Sequence, residues 1–455
     1  MGKVHLNLCV GGIYLFKIVF IGSGSALFFK KLLVDILSVT EFQDAEISLV
    51  DVNNDRLQIS VKIANAVISQ KGNKAKLEYT TKRREVLQNA DYVVCMIKIG
   101  GYDVTKIDYD IPFKYGIFQT MTDTCGIGAI SRALRTIPEV LNICRDICDI
   151  CPDAYFFNYT NPMSMICSAL EKSMPSLKVF GLCHSVQHTA KQFSKYLDIP
   201  ETDITYWVAG INHMSWYLSL RYKGENLYPK LISFMNNEWD GIIPSKTRNG
   251  YNDRVRFDVL RRTGYFVTES SPHMSELFPY ILKRKNIMEE YGILHGQHLL
   301  NLENQIKGYN KLILEINNGN IGSLDSDGFE YLTYIIQAIE LGRKTTCNIN
   351  VYNNGLIGNL PLDCCVEVPC LIDSEGIHPC KIGNLPSHLA AMNMSVINLQ
   401  QLAVEAILTG NRDRVYHAVM MDPNVSSVLT LDEVWKMTDE LLEAHRERIL
   451  ACFRK

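Results

Sequence analysis

A chain of 455 residues, 47% hydrophobic and 21% charged, has the make-up of an ordinary globular protein and the length for two domains sharing a large core. Its net charge of -3 offers nothing to nucleic acid or an anionic membrane, and no run approaches the roughly twenty apolar residues of a transmembrane helix. The fourteen cysteines are irregularly spaced, mostly inside apolar runs, which argues for buried free thiols in a reducing cytoplasm rather than a secreted disulfide framework.

Leu6 to Phe16 is apolar enough to imitate the core of a signal peptide, but a strand follows with no small-residue cleavage site. Residues 1–16 therefore read as an extension outside the fold. Lys17-Ile18-Val19-Phe20-Ile21 reads as a strand, Gly22-Ser23-Gly24-Ser25 as a turn, and Ala26 through Leu37 as a helix. In that context Gly22 permits the tight turn, and Gly24, beside Ser25, lets backbone approach a pyrophosphate at the helix N-terminus. Leu27 stands where a third glycine would be, so the fingerprint is a variant. A second strand, Glu46 to Val50, ends at Asp51, placed to take the ribose hydroxyls of NAD in preference to NADP. The competing reading of Asp51 is a helix cap.

Asn54 to Ser69 reads as a helix and Tyr92 to Ile97 as a buried parallel strand. Gly100-Gly101 then opens a loop that runs to Asp123-Thr124-Cys125-Gly126-Ile127-Gly128, before a long helix carrying Arg132, Arg135 and Pro138. Ala154 to Asn158 is a strand leading to Asn161-Pro162, and Leu177 to Gly181 delivers Cys183 and His184 to the same edge. This alternation predicts an α/β fold with a Rossmann-like, doubly wound parallel sheet over residues 17–203. Residues 204–455 read as an α+β domain. Ile204 to Ile211 and Met214 to Tyr222 are adjacent strands with His213 at their junction. Arg254 to Arg262 and Phe329 to Leu341 are helices, Asn348 to Asn353 and Cys365 to Ile372 strands, and Leu399 to Arg446 mostly helical. No linker separates the halves.

Cys183 and His213 suit a divalent cation, since a coordinating thiol loses its proton and neutral imidazole is the commonest nitrogen ligand. Two protein ligands leave positions for substrate hydroxyls. As bare residues they are a weak signal, since a cysteine at a strand end is usually just buried. His184 is placed for a general acid or for a structural bond to a carbonyl. Asn161 suits sugar hydroxyls or a turn, and Asp123 suits a helix cap or a partner to a base. Tyr265, Glu269 and His273 cluster polar groups in which a proton-abstracting base could lie.

Together these stretches resemble glycoside hydrolase family 4, the NAD- and manganese-dependent glycosidases, from Lys17 almost to the end. The resemblance rests on Gly22-Ser23-Gly24-Ser25, Ile99-Gly100-Gly101-Tyr102, Arg132-Ala133-Leu134-Arg135-Thr136-Ile137-Pro138 and Asn161-Pro162-Met163. It continues through Gly181-Leu182-Cys183-His184-Ser185-Val186-Gln187, Gly210-Ile211-Asn212-His213-Met214, Val267-Thr268-Glu269-Ser270-Ser271 and Asn411-Arg412-Asp413-Arg414-Val415-Tyr416-His417. The Cys-His-Ser-Val form separates the chain from the phospho-glycosidase members; within the family it looks most similar to the bacterial α-galactosidases, and the α-galacturonidases share that form. Cys125 and Ile127 depart from the Leu and Pro common in the family.

The resemblance implies an N-terminal NAD-binding domain and a C-terminal domain of the lactate/malate dehydrogenase type, in a cytoplasmic homodimer or homotetramer. It also implies redox elimination in place of the usual two carboxylates: hydride leaves carbon 3, a base deprotonates carbon 2, and Mn²⁺ stabilises the enediolate. By resemblance Cys183 and His213 hold the metal, His184 is the acid, Asn161 contacts the sugar, and Asp123 tunes the base. Tyr265 is the first candidate for that base and Glu269 the second. Alternatives are an α-galacturonidase using Arg248, Arg254 or Lys98 on a uronate, a lactate/malate-type dehydrogenase, and an inactive NAD sensor.

Overall fold

Short β-branched and aromatic runs build the centre of the molecule. The computed structural model describes residues 16–239, 253–322, 324 and 330–454. Arg248, the start of the helix expected at Phe329, and Leu6 to Tyr14 lie outside them. Among the described residues twelve strands share one sheet. They are β1 (Lys17–Ile21), β2 (Glu46–Val50), β3 (Lys76–Thr80), β4 (Tyr92–Cys95), β5 (Tyr155–Asn158), β6 (Lys178–Gly181), β7 (Ile204–Ile211), β8 (Met214–Tyr222), β9 (Glu225–Asn226), β10 (Thr345–Tyr352), β11 (Cys365–Asp373) and β12 (Gly376–Pro379).

The first six run parallel in the order β3-β2-β1-β4-β5-β6, the doubly wound arrangement expected. Every residue of β1 is buried, as helices on both faces require. Beyond β6 the same sheet continues antiparallel through β10, β11, β7, β8 and β9, with β12 on β11. The joins are narrow: Asn350 pairs with Gly181 and Glu367 with Gly210. They extend a transverse row, Cys95-Asn158-Gly181-Asn350-Glu367-Gly210-Ser215, across both halves of the molecule. Gly181 is needed at its crossing, because a Cβ there would lie 2.9 Å from the Asn350 Cβ and the Met163 Cγ.

The expected loop from Gly100 is a helix instead, Gly101–Lys114. Gly100, at φ +96, turns the chain into it, and Val104, Asp108, Tyr109 and Ile111 bury one helical face. Pro112 falls near its C-terminal end, and the Asp108 carbonyl that it leaves without an N–H accepts from Gln119 Nε2 at 2.7 Å. The loop shrinks to residues 115–125 before the long helix Gly126–Ile150. β3 and the helix Gln297–Asn317 were not anticipated, since β3 is a charged, largely exposed edge strand without a hydrophobic run. The thirteen described cysteines are all free, and no helix among the described residues is long and apolar enough to cross a membrane.

Candidate active site

The glycine turn after β1 is held by its own backbone. Gly22 donates its N–H to the Val50 carbonyl at 2.8 Å and sits at φ +87, where a Cβ would come within 2.9 Å of the Ile97 nitrogen. Gly24 donates to Asp51 Oδ2 at 2.8 Å, and a Cβ on it would lie 2.5 Å from that oxygen. Asp51 Oδ1 accepts the Asn53 N–H at 2.8 Å. Asp51 therefore ties the turn to the end of β2, and the next helix is capped by Asn53, whose side chain accepts from the Arg56 N–H. Ser25, exposed at the start of Ala26–Leu37, makes no capping bond, and no acidic residue occupies that first turn. The helix end is open to an anion.

A chain of contacts leads from this turn to the second cluster. The Thr160 hydroxyl donates to the Ile97 carbonyl at 3.2 Å, and Asn161 Nδ2 donates to Asp123 Oδ2 at 3.1 Å. His213, at φ +65 in the link between β7 and β8, stands at the centre. One ligand atom each of Cys183, His213 and Glu269 lie within 4.8 Å of one another, and so do those of Asp123, His213 and His273. His213 Nε2 is 3.9 Å from Glu269 Oε2, and Nδ1 is 2.6 Å from the Thr124 hydroxyl. The His273 ring is 3.4 Å from Asp123 on its Nε2 side and 3.4 Å from Glu269 on its Nδ1 side. Ser270 Oγ lies 2.8 Å from the same Nδ1.

These groups set each other's charge. Burial opposes a charged His273, but the Glu269 and Asp123 carboxylates outweigh it and raise the imidazolium to about 9. Burial likewise opposes ionised Asp123 and Glu269. His273, with His213 beside it, overcomes this and holds both below the ordinary carboxylate range. Burial and the neighbouring His273 charge lower His213, which is therefore neutral and has a lone pair to give. The buried Cys183 thiol is pushed well up by burial and then by the Glu367 and Glu269 charges, so a cation must displace its proton.

Of the expected site residues, the structure brings Cys183, His213, Asp123, Asn161 and Glu269 together. His184, 41% exposed in its side chain, lies at the border: its Nδ1 is 3.9 Å from Glu330 Oε2 and its ring centroid 4.2 Å from that of His188. Tyr265 is not brought in, because its ring packs towards Tyr228 and His388. Thr124 and Glu276 were missed. Glu276, pushed up to about 7 by burial, takes the backbone N–H groups of Thr120, Met121 and Thr122 and pins the loop carrying Asp123. Nothing local in the sequence marks such a distant partner, whereas the charged motif around His273 stands out as a polar cluster.

Arg132, Lys98 and a neutral His298 flank the site. Lys98 Nζ lies 3.5 Å from His298 Nε2, and Arg132 is within electrostatic reach of both and of Asp123. Arg254 instead donates to the Glu290 and Trp239 carbonyls.

Residues 17–199 match the model of family 4 glycosyl hydrolases, and residues 208–425 match that of the family 4 glycosyl hydrolase C-terminal domain. The chain belongs to glycosyl hydrolase family 4. It is 39% identical to an α-galactosidase of Bacillus subtilis over 94% of this chain and 98% of that protein. It is 29% identical to an α-galacturonidase of Lachnoclostridium phytofermentans over 94% and 95%. A 6-phospho-α-glucosidase from gut microorganisms, solved in complex with NAD and Mn²⁺, superposes with a TM-score of 0.83 at 18% identity, covering 96% of this chain and 99% of that one. The fold, though not the sequence, extends to the malate dehydrogenase of Cryptosporidium parvum, with a TM-score of 0.53 at 14% identity over 87% and 100%. The family 4 fold of this chain is thus a Rossmann-like sheet with an α+β half of the malate dehydrogenase kind.

Proposed function

We propose that this family 4 protein is an α-galactosidase that opens terminal α-D-galactosides by redox elimination, with residues 17–203 holding NAD and residues 204–455 completing the cation and sugar site. The observation that carries the reading is the convergence of Cys183, His213 and Glu269 within 4.8 Å, joined through Asn161, Thr160 and Ile97 to the glycine turn. The residues present fit both groups. Gly22 and Gly24 pack so closely against Ile97 and Asp51 that a Cβ has no room, which keeps the turn tight beside an uncapped helix end. Neutral His213 and Cys183 offer a nitrogen and a sulfur donor, and the buried Asn161 Oδ1 and His184 Nδ1 have no hydrogen-bond partner among the described residues.

When bound, NAD supplies a hydride acceptor for carbon 3, and Mn²⁺ a Lewis acid for the oxygens on carbons 2 and 3. Cys183 and His213 hold the cation. Glu269, held ionised by the His273 imidazolium, is the base for the proton on carbon 2. Its place in the cluster favours it over Tyr265. His273, an imidazolium between Glu269 and Asp123, keeps both carboxylates charged until that proton arrives. Asn161, oriented by Asp123, hydrogen-bonds a sugar hydroxyl, and the exposed edge of His184 protonates the leaving oxygen.

The test is hydrolysis of an aryl α-galactoside with NAD, Mn²⁺ and a reductant, compared with the same enzyme after chelation and cofactor stripping. Activity should vanish on stripping and slow when carbon 2 or carbon 3 carries deuterium; full activity in the stripped enzyme would sink the reading. One observation favours a second reading, the α-galacturonidase: the Arg132 guanidinium, with Lys98 nearby, offers donors suited to a uronate carboxylate, while burial keeps His298 neutral. Running α-galacturonide, α-glucoside and 6-phosphoglycoside substrates beside the galactoside separates them.

A further inference from the structure

His213 belongs to both of the clusters described above, the one with Cys183 and Glu269 and the one with Asp123 and His273. A neutral imidazole has a single lone pair, so which nitrogen carries the hydrogen decides which cluster it can serve. The Thr124 hydroxyl lies 3.0 Å from Asp123 Oδ1 and 2.6 Å from His213 Nδ1. An ionised carboxylate only accepts, and a hydroxyl has one hydrogen. That hydrogen goes to Asp123, so the hydroxyl oxygen is an acceptor towards His213. We infer that Thr124 is the positioning residue that fixes the tautomer of His213: its hydroxyl accepts the Nδ1 hydrogen and leaves the Nε2 lone pair, on the Glu269 side, for a cation shared with Cys183.

Three further features hold the arrangement. His213 is set in a two-residue link at φ +65, its ring edge-on to His273 at 4.6 Å between centroids, so the imidazole has little freedom to turn over. Thr124 is buried, and its carbonyl accepts from Gln400 Nε2 at 3.2 Å. Asp123 also takes the Asn161 amide and faces His273, which keeps it an acceptor. Serving the Asp123–His273 cluster through Nδ1 would require Thr124 to swing its hydrogen away from Asp123. The threonine thereby turns the His213 lone pair away from the Asp123–His273 pair and towards Cys183, as partners of ligating histidines do when they fix tautomer and orientation.

The inference rests on the Cys183–His213 cation site proposed above, and its test separates the two. The metal-free, full-length protein labelled with ¹⁵N in its histidine rings should show His213, identified by its loss in His213→Gln, protonated on Nδ1 and bare on Nε2. Thr124→Val should shift that signal towards the other tautomer and weaken Mn²⁺ binding, read from the resonance of free Mn²⁺, by roughly 10- to 100-fold. Thr124→Ser should restore both. A wild-type His213 protonated on Nε2, or a Thr124→Val protein with unchanged spectrum and affinity, overturns the inference. If Cys183→Ser binds Mn²⁺ as the wild type does, the cation site itself is wrong, and the ring spectra alone then decide the role of Thr124. Should Thr124→Val not fold, the wild-type spectrum and the serine variant still decide between the two tautomers.

Discussion

An imidazolium wedged between two carboxylates makes the effect of losing it predictable in sign. In His273→Asn the positive charge that holds Asp123 and Glu269 low is gone, so burial dominates and both carboxyls rise. With Glu269 as the base, the acid limb of kcat/KM should move to higher pH, on the order of one unit for each ~1.4 kcal/mol of lost interaction. A pH–rate profile of this variant that overlays the wild type would remove His273 and Glu269 from the chemistry. At this scale the pairing of Cys183 with His213 was legible, because both sit in specific flanking motifs, and the structure brings them together. Thr124 was not, because a hydroxyl takes its meaning from partners such as His213, 89 residues away. Tyr265 and Glu269, close in sequence and flanked by apolar residues, look alike there, and the turn at Glu269, φ +69, sends them to different neighbours.

At the scale of elements, the strand–turn–helix after Lys17 and the strands around Cys183 and His213 could be read directly from hydrophobic runs and their punctuation. The element after β4 could not. Two consecutive glycines and an internal proline imitate a loop, and only the buried face formed by Val104, Asp108 and Ile111 makes the segment helical. The glycine turn gives this scale its own prediction. Gly22→Ala forces a side chain into left-handed backbone, at about 1–2 kcal/mol, and against the Ile97 backbone as well. Denaturant titration should show the loss of stability, and fluorescence titration a larger loss of NAD affinity. A variant that binds NAD as tightly as the wild type would mean that the cofactor does not use this turn.

For the whole molecule, several buried carboxyls tie distant segments together despite the cost of desolvation. Glu276 and Glu367 are each pushed up to about 7 by burial, and Asp422, which accepts the Ile127 N–H at the head of the long helix, to about 6. For Glu276 the folded-state value exceeds the unfolded one, so the folded state binds the extra proton and stability falls as pH rises from about 4.5 to about 7. Glu276→Gln keeps an acceptor for the loop but cannot ionise. Its melting temperature relative to wild type should therefore climb between about pH 5 and pH 8, and a flat difference across that range would contradict the assignment.

The narrow seam between β6 and β10 has a corollary for any attempt to divide the protein. Cutting the chain near residue 203 would strip β6 of its Asn350 neighbour and deprive the helix Met163–Ser173 of its cover from the helix Ser387–Thr409. The amino-terminal fragment would then end in a bare hydrogen-bonding margin beside a greasy surface, the combination that drives clumping. The amino- and carboxy-terminal halves are thus inseparable by scissors, since each is the other's edge protection.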